Sequence, residues 1–261
     1  VATGLKLARP ELSVWVVTGD GDGLSIGANH LIHALRRNLD INILLFNNQI
    51  YGLTKGQFSP TSPQGQITRS TPYGSLDAPL NPLTLALGAE ASFVARSVDV
   101  WPRHLAETLK RASAHRGTSF VEIYQNCNIY NDLAFEWATD RKVKDNHVLE
   151  LEHGAPMVFG AEHDQGIVLD GLMPKIVKIG DGISESDLLV HDENRDDPTL
   201  AFALSRMRHP QFPEPFGVLR SVQRPVYEES VQEQMKSAQA SAKAPADLHA
   251  LFNSGDTWQI D

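Results

Sequence analysis

The chain has 261 residues and a formal net charge of −9, from 23 Lys and Arg against 32 Asp and Glu. That balance argues against nucleic acid as the main partner, and no apolar run reaches the length of a membrane span. The single cysteine, Cys127, excludes an internal disulfide and, by itself, a metal cluster. No signal-peptide pattern opens the sequence, so a cytoplasmic location is expected.

The opening "VATGLKLARPEL" reads as a helix already under way, and the expectation is that the protein's true N-terminal part precedes Val1. Leu12–Thr18 is a nearly continuous apolar run between Pro10 and Gly19, as a buried parallel strand would be. It runs into "GDGDG", expected to be a loop. Ser25–Asn38 follows as a helix with Ile26, His30, Leu31, Ala34 and Leu35 at helical spacing, closed by Arg36 and Arg37 where basic residues suit the dipole. Ile41–Phe46 is a second buried strand, running into Asn47 and Asn48. Tyr51–Leu80 is rich in Gly, Ser, Thr and Pro, and so long an irregular stretch is usually functional. Pro82–Glu90 (helix), Phe93–Val98 (strand), Arg103–Arg116 (helix) and Ser119–Tyr124 (strand) complete a β-α-β-loop-α-β-α-β order. The expected fold is α/β: a doubly wound, mostly parallel sheet with helices on both faces. Beyond about Asp140 short strands and turns take over, with a helix over Thr199–Arg206, a strand over Phe216–Arg220 and a polar helix or loose tail over Glu228–Ala244. We therefore expect a core over 1–140 and a C-terminal α+β appendage over 141–261.

Ligands of doubly wound sheets sit at the carboxyl ends of strands, where both polar clusters lie. Gly19, Gly21 and Gly23 allow close backbone approach and positive φ, and the following helix aims its N-terminus at the same spot, which favours phosphate. Asp20 and Asp22 are acids where phosphate is expected. Two anions tolerate each other with a cation between them, so Mg²⁺ is the natural bridge, and Asn47 or Asn48 can add an amide oxygen without charge. Two other motifs fail. A dinucleotide fingerprint needs glycine where Leu24 stands, and an acid where the second strand ends in asparagine. A calcium loop starting at Asp20 needs glycine at Ser25 and glutamate at Leu31. His30 and His33 lack the partners of a zinc motif, and His30 is expected to be packed or to support a ligand-binding neighbour.

"GDG", a helix, a strand and "NN" together resemble the thiamine diphosphate signature. Twenty-five residues, 22 to 46, separate Gly21 from Asn47, enough for a helix of about 14 residues and 21 Å with a returning strand. The continuation "FNNQIYGLTKGQFSPTSPQG", together with "STPYGSLDAPLNPLTLALGAEASFVAR", "GTSFVEIYQNCNIYND" and "HPQFPEPFGVL", resembles the β subunit of 2-oxoacid:ferredoxin oxidoreductases, most closely the 2-oxoglutarate type. The resemblance covers nearly the whole chain. It implies Mg²⁺ held by Asp20, the Asn48 side chain and the Ile50 carbonyl. It implies a diphosphate held by Gly19, Gly21 and Asp22, and a cofactor-lining turn of Tyr51, Gly52, Leu53 and Thr54. Lys55 would meet an anionic group of the 2-oxoacid or of coenzyme A. Cys127 would ligate a [4Fe–4S] cluster whose other cysteines are not in this sequence. It further implies an α subunit that supplies the glutamate for the cofactor, and ferredoxin as electron acceptor. Two other readings stay open: a cluster-free thiamine decarboxylase or synthase, and a non-catalytic chain that only docks on a partner.

Overall fold

The computed structural model describes residues 1–180, 182–241, 247–258 and 260. In chain order its elements are α1 (Ala2–Ala8), β1 (Val14–Gly19), α2 (Asp20–Leu24), α3 (Ala28–Arg37), β2 (Ile41–Asn47), α4 (Pro82–Gly88), β3 (Phe93–Val98), α5 (Pro102–Ala114), β4 (Ser119–Tyr124), α6 (Glu136–Thr139), β5 (Val148–Glu150), β6 (Val158–Phe159), β7 (Gln165–Asp170), β8 (Met173–Lys178), α7 (Thr199–Ser205), β9 (Glu214–Ser221), α8 (Tyr227–Ser241) and α9 (Leu248–Phe252). Of the polar helix expected over Glu228–Ala244, residues 242–244 lie outside the described residues.

The main sheet has the order β1-β2-β4-β3-β9-β5. The first four strands are mutually parallel, β9 runs antiparallel to β3, and β5 parallels β9. Helices cover both faces. On one face Leu31, Leu35, Leu83, Leu87, Leu200 and Leu204, from α3, α4 and α7, pack in one cluster with Val94 and Phe120. On the other, Leu105, Leu109 and Ala112 of α5 pack with Leu44, Phe93 and Ile123. Strands covered on both faces must be apolar throughout, and β3 and β4 are buried along their whole length. Caps set the helix starts: Asn81 accepts from the Thr84 N–H at 3.1 Å, with Pro82 as first helical residue of α4.

Four expectations need correction. β1 is not a buried strand: it forms the sheet edge, and Trp15 and Val17 stay 38% and 66% exposed. Ile26 is 88% exposed because α3 begins only at Ala28, which leaves Ile26 in the preceding turn. His30 is exposed rather than packed. The "GDGDG" segment is not an open loop; its residues from Asp20 to Leu24 form the short helix α2. The C-terminal part contributes β9 and β5 to the main sheet, and β6, β7 and β8 form a separate antiparallel sheet.

Polar groups close the lower end of the sheet. Asn38 ends α3 in the left-handed region (φ 55°), and its Oδ1 accepts from Ser92 Oγ at 2.6 Å and the Thr118 N–H at 3.1 Å. His115 Nε2 lies 2.8 Å from the same Ser92 hydroxyl, and burial, slightly opposed by Asp40, lowers its pKa from 6.5 to about 4. The unfolded chain therefore takes up this proton first. Stability is intact above pH 6.5 and falls as the pH drops towards about 4, by about 2 kcal/mol after allowance for partial solvent contact. Denaturant titrations across that interval should show the loss, and His115→Gln should remove this residue's share of it, leaving that of His104, His191 and His209, which burial lowers too.

Candidate functional site

Asp20 heads α2 directly after β1 and is buried, 2% exposed. Its Oδ2 accepts from Ser59 Oγ at 2.5 Å and from Thr61 Oγ1 at 2.6 Å. Burial pushes its carboxyl above the ordinary range, opposed in part by the Ser59 and Thr61 hydrogen bonds and by backbone amides. Asn47, the last residue of β2, accepts from the Gln49 N–H at 3.2 Å and its Nδ2 donates to Glu122 Oε1 at 2.8 Å, while its Oδ1 lies 2.9 Å from the Thr61 hydroxyl, whose one proton points to Asp20 at the shorter distance. Asn48 Oδ1 accepts from the Ile50 N–H at 3.2 Å. These two side-chain turns reverse the chain at Gln49, whose φ is 56°.

The reversal throws Tyr51 back onto α2. Its hydroxyl donates to the Gly21 carbonyl at 2.8 Å, and a Cβ on Gly21 would stand 2.2 Å from the Tyr51 ring. Gly21 is thus glycine for close approach, not for positive φ. Neither Gly21 nor Gly23 has positive φ, and Gly19 lies at −82°. Tyr51 also closes the next turn: its N–H donates to the Gln57 carbonyl at 2.9 Å, and the Gly56 N–H donates to the Tyr51 carbonyl at 2.8 Å. Gly52, on that turn, faces the sequence's one thiol, 3.7 Å between a Cβ built there and Cys127 Sγ. Asn131 Nδ2 donates to the Asn48 carbonyl at 2.9 Å and ties the Cys127 segment to the asparagines.

The structure therefore brings Asp20, Gly21, Asn48, Ile50, Tyr51, Gly52 and Cys127 to one end of the sheet. Leu53, Thr54 and Lys55 form the exposed tip of the turn, with Lys55 at φ 76°. Asp22 is exposed and lines a groove with Ile26 and His30 on the β1 side. Sequence reasoning missed Ser59 and Thr61, although "SPTSP" in a long irregular stretch was their signal. It also missed a buried charge cluster. Arg96 and Glu122 stand opposite each other on β3 and β4. Arg96 donates to Glu122 Oε2 at 2.8 Å and Glu214 Oε2 at 3.0 Å, and Tyr124 donates to Glu214 Oε2 at 2.6 Å. Burial alone would lower the Arg96 guanidinium; Tyr124, Glu122 and Glu214 outweigh it and hold it above its ordinary value. Burial also pushes the Tyr124 phenol up, so it stays a donor. The signal was a charge inside each apolar strand, "FVARSV" and "FVEIY". The cluster borders a cavity of about 380 Å³ that Thr61, Asn47 and Arg208 also line.

The groups that the resemblance assigns to a cation, the Asp20 carboxylate, the Asn48 amide oxygen and the Ile50 carbonyl, are all oxygen donors, a chemistry that fits Mg²⁺. A [4Fe–4S] cluster takes four thiolates, and this sequence supplies one, so the residues here do not form that site by themselves.

Residues 1–123 match the family model of the thiamine pyrophosphate enzyme, C-terminal TPP binding domain. Over the whole chain the sequence is 49% identical to the 2-oxoglutarate oxidoreductase subunit KorB of Mycobacterium tuberculosis, and the match spans 70% of that protein. A match to the 2-oxoacid:ferredoxin oxidoreductase 1 subunit beta of Aeropyrum pernix reaches 46% identity over 55% of this chain and 45% of that one. Among solved structures, 2-oxoglutarate:ferredoxin oxidoreductase from Magnetococcus marinus, with 2-oxoglutarate, coenzyme A and succinyl-CoA bound, superposes with a TM-score of 0.72 at 28% identity, over 98% of this chain and 72% of that one. The chain thus spans about half to seven tenths of the curated relatives it matches. The 49% identity over the full chain, the match to the thiamine pyrophosphate enzyme model and the shared α/β sheet agree, and the chain belongs to the β-subunit family of the 2-oxoglutarate and related 2-oxoacid oxidoreductases.

Proposed function

We propose that this chain is the thiamine diphosphate- and Mg²⁺-binding β subunit of a 2-oxoglutarate:ferredoxin oxidoreductase. The overall reaction is oxidative decarboxylation of 2-oxoglutarate, with coenzyme A taking the acyl group and ferredoxin two electrons. The observation that carries the reading is the buried Asp20 beside the Asn47–Asn48 turn. An acid so placed has a use for a cation, and the oxygen donors around it suit magnesium.

When bound, thiamine diphosphate supplies the electron sink for loss of carbon dioxide from a 2-oxoacid. The chain's own residues bind and orient. Asp20, Asn48 and the Ile50 carbonyl would hold Mg²⁺, and Gly19, Gly21 and Asp22 would hold the diphosphate through backbone N–H groups. Tyr51, Gly52, Leu53 and Thr54 line the cofactor, with Tyr51 fixing the turn against α2 through its bond to Gly21. Lys55, exposed at the tip, reaches an anionic group of the 2-oxoacid or of coenzyme A. Cys127, beside Gly52, would give one cluster thiolate, with the other three from outside this sequence.

An α subunit would cover this end of the molecule. Leu53, Ile67, Tyr73, Leu76, Ile129 and Leu133 are all more than half exposed there, an apolar content expected of a subunit interface. Among the described residues no helix is long and apolar enough to cross a membrane.

The test is turnover by the full-length complex with a low-potential dye as acceptor. Coenzyme A-dependent oxidation of 2-oxoglutarate in preference to pyruvate is expected. Preference for pyruvate would overturn the substrate, and turnover of neither acid would overturn the activity.

A further inference from the structure

Asp20 is held before any cation arrives. Both hydroxyls that reach it, Ser59 Oγ at 2.5 Å and Thr61 Oγ1 at 2.6 Å, meet the same oxygen, Oδ2. Two donors at one carboxylate oxygen use up its outward lone-pair directions. No side chain hydrogen-bonds Oδ1 among the described residues, so the two hydroxyls fix one side of the carboxylate and stop it from turning. The hydroxyls are themselves braced. Ser59 N–H donates to Ser62 Oγ at 2.8 Å, and Ser62 Oγ donates to the Gln49 carbonyl at 2.6 Å. Thr61 Oγ1 contacts Asn47 Oδ1 at 2.9 Å, and Asn47 Nδ2 is anchored on Glu122, which Arg96 locks in turn. All of Asp20, Asn47, Ser59, Thr61, Glu122 and Arg96 are at most 4% exposed.

We propose that Thr61, with Ser59, is a positioning residue for the cation. It fixes Asp20 as a one-oxygen ligand, and Asn47 serves as the strut behind it while Asn48 is the ligand. The inference rests on the reading of Asp20 and Asn48 as magnesium ligands. Mg²⁺ tolerates little departure from octahedral geometry, so a carboxylate locked to one free oxygen favours it, and groups that orient ligands typically change metal affinity 10- to 100-fold. A hydroxyl that merely filled space would have no such effect.

The experiment uses the full-length subunit co-purified with its partner and stripped of metal. Thiamine diphosphate binding is followed by calorimetry while Mg²⁺ is titrated, and Mn²⁺ occupancy is read by electron paramagnetic resonance. Thr61→Val removes the donor and keeps the shape; Thr61→Ser restores the donor. Thr61→Val should raise the Mg²⁺ concentration for half-maximal cofactor binding by about tenfold or more, with binding and kcat recovering at saturating Mg²⁺. Thr61→Ser should stay within about threefold of the parent. A Thr61→Val protein with the parent's Mg²⁺ and Mn²⁺ dependence overturns the proposal, and so does a Thr61→Ser protein as weak as Thr61→Val. Should Thr61→Val not fold, Ser59→Ala, which removes the other donor, decides by the same readings. A parent protein that binds thiamine diphosphate with no need of Mg²⁺ would instead sink the metal reading itself.

Discussion

Asp20→Asn should abolish the Mg²⁺-dependent binding of thiamine diphosphate and lower kcat/KM for the 2-oxoacid by about 10³ or more in the full complex. The size follows from losing the one carboxylate among the proposed ligands: several kcal/mol of cation binding at 1.4 kcal/mol per tenfold change. The stability of the metal-free protein should move the other way. Burial pushes the Asp20 carboxyl up, so the charged form costs free energy in the folded state at neutral pH. An acid with a raised folded pKa weakens folding above that pKa and ceases to do so as the pH falls below its unfolded value. A neutral amide that still accepts from Ser59 and Thr61 removes that cost. The metal-free melting temperature of Asp20→Asn should therefore equal or exceed the parent's at pH 7. The stabilisation by cofactor, about 2.7 kcal/mol at one hundred times Kd, should vanish. Thermal denaturation with and without thiamine diphosphate and Mg²⁺ checks both halves. A variant that keeps the ligand-induced shift would remove Asp20 from the site.

Arg96→Met should destabilise the protein by about 3–5 kcal/mol, because it leaves the buried carboxylates of Glu122 and Glu214 without their cation. All four carboxylate oxygens of that pair are satisfied in the native protein: Glu122 by Asn47 and Arg96, Glu214 by Arg96, Tyr124 and the His209 N–H. For a chain of this size the loss corresponds to about 10 °C in Tm. Adding Glu122→Gln and Glu214→Gln removes the stranded charges and should restore more than half of it. That non-additivity marks residues of one network. Urea titration of the single and triple variants measures it, and a triple variant no better than Arg96→Met would show that shape, rather than charge, makes the site fragile. The cluster stands behind Asn47, so Arg96→Met should also weaken Mg²⁺ binding, an effect that surface variants would not produce.

Much of this was legible in the chain itself. Phe93–Val98 and Ser119–Tyr124 are strands with the expected bounds, because a strand buried on both faces is apolar along its length and ends where polarity begins. Gly-Asp-Gly and Asn-Asn marked two strand ends, since few other reasons place such residues there. The register of those strands then put the two clusters side by side. The spacing and the following residues identified the family before any coordinate did.

Other features depend on partners distant in sequence. Edge and interior strands read alike locally; only the sheet order put β1 at the rim and exposed Val17. Phe216–Arg220 looked like a stray strand of the C-terminal part, yet β9 runs beside β3 and brings Glu214 to Arg96. Ser59 and Thr61 were two hydroxyls among many in a polar stretch until the chain folded them onto Asp20, 39 and 41 residues away. Composition and period specify what a segment buries, because burial is a property of each residue and its near neighbours. Which buried polar atoms meet is decided by strand order and loop closure, and there hydrogen-bond satisfaction, not hydrophobic pattern, selects the partner. By itself the sequence determined the fold class, the family and the two strand ends where the polar clusters lie. The tertiary structure alone decided the second layer that braces Asp20, and the buried Arg96 on which that layer rests.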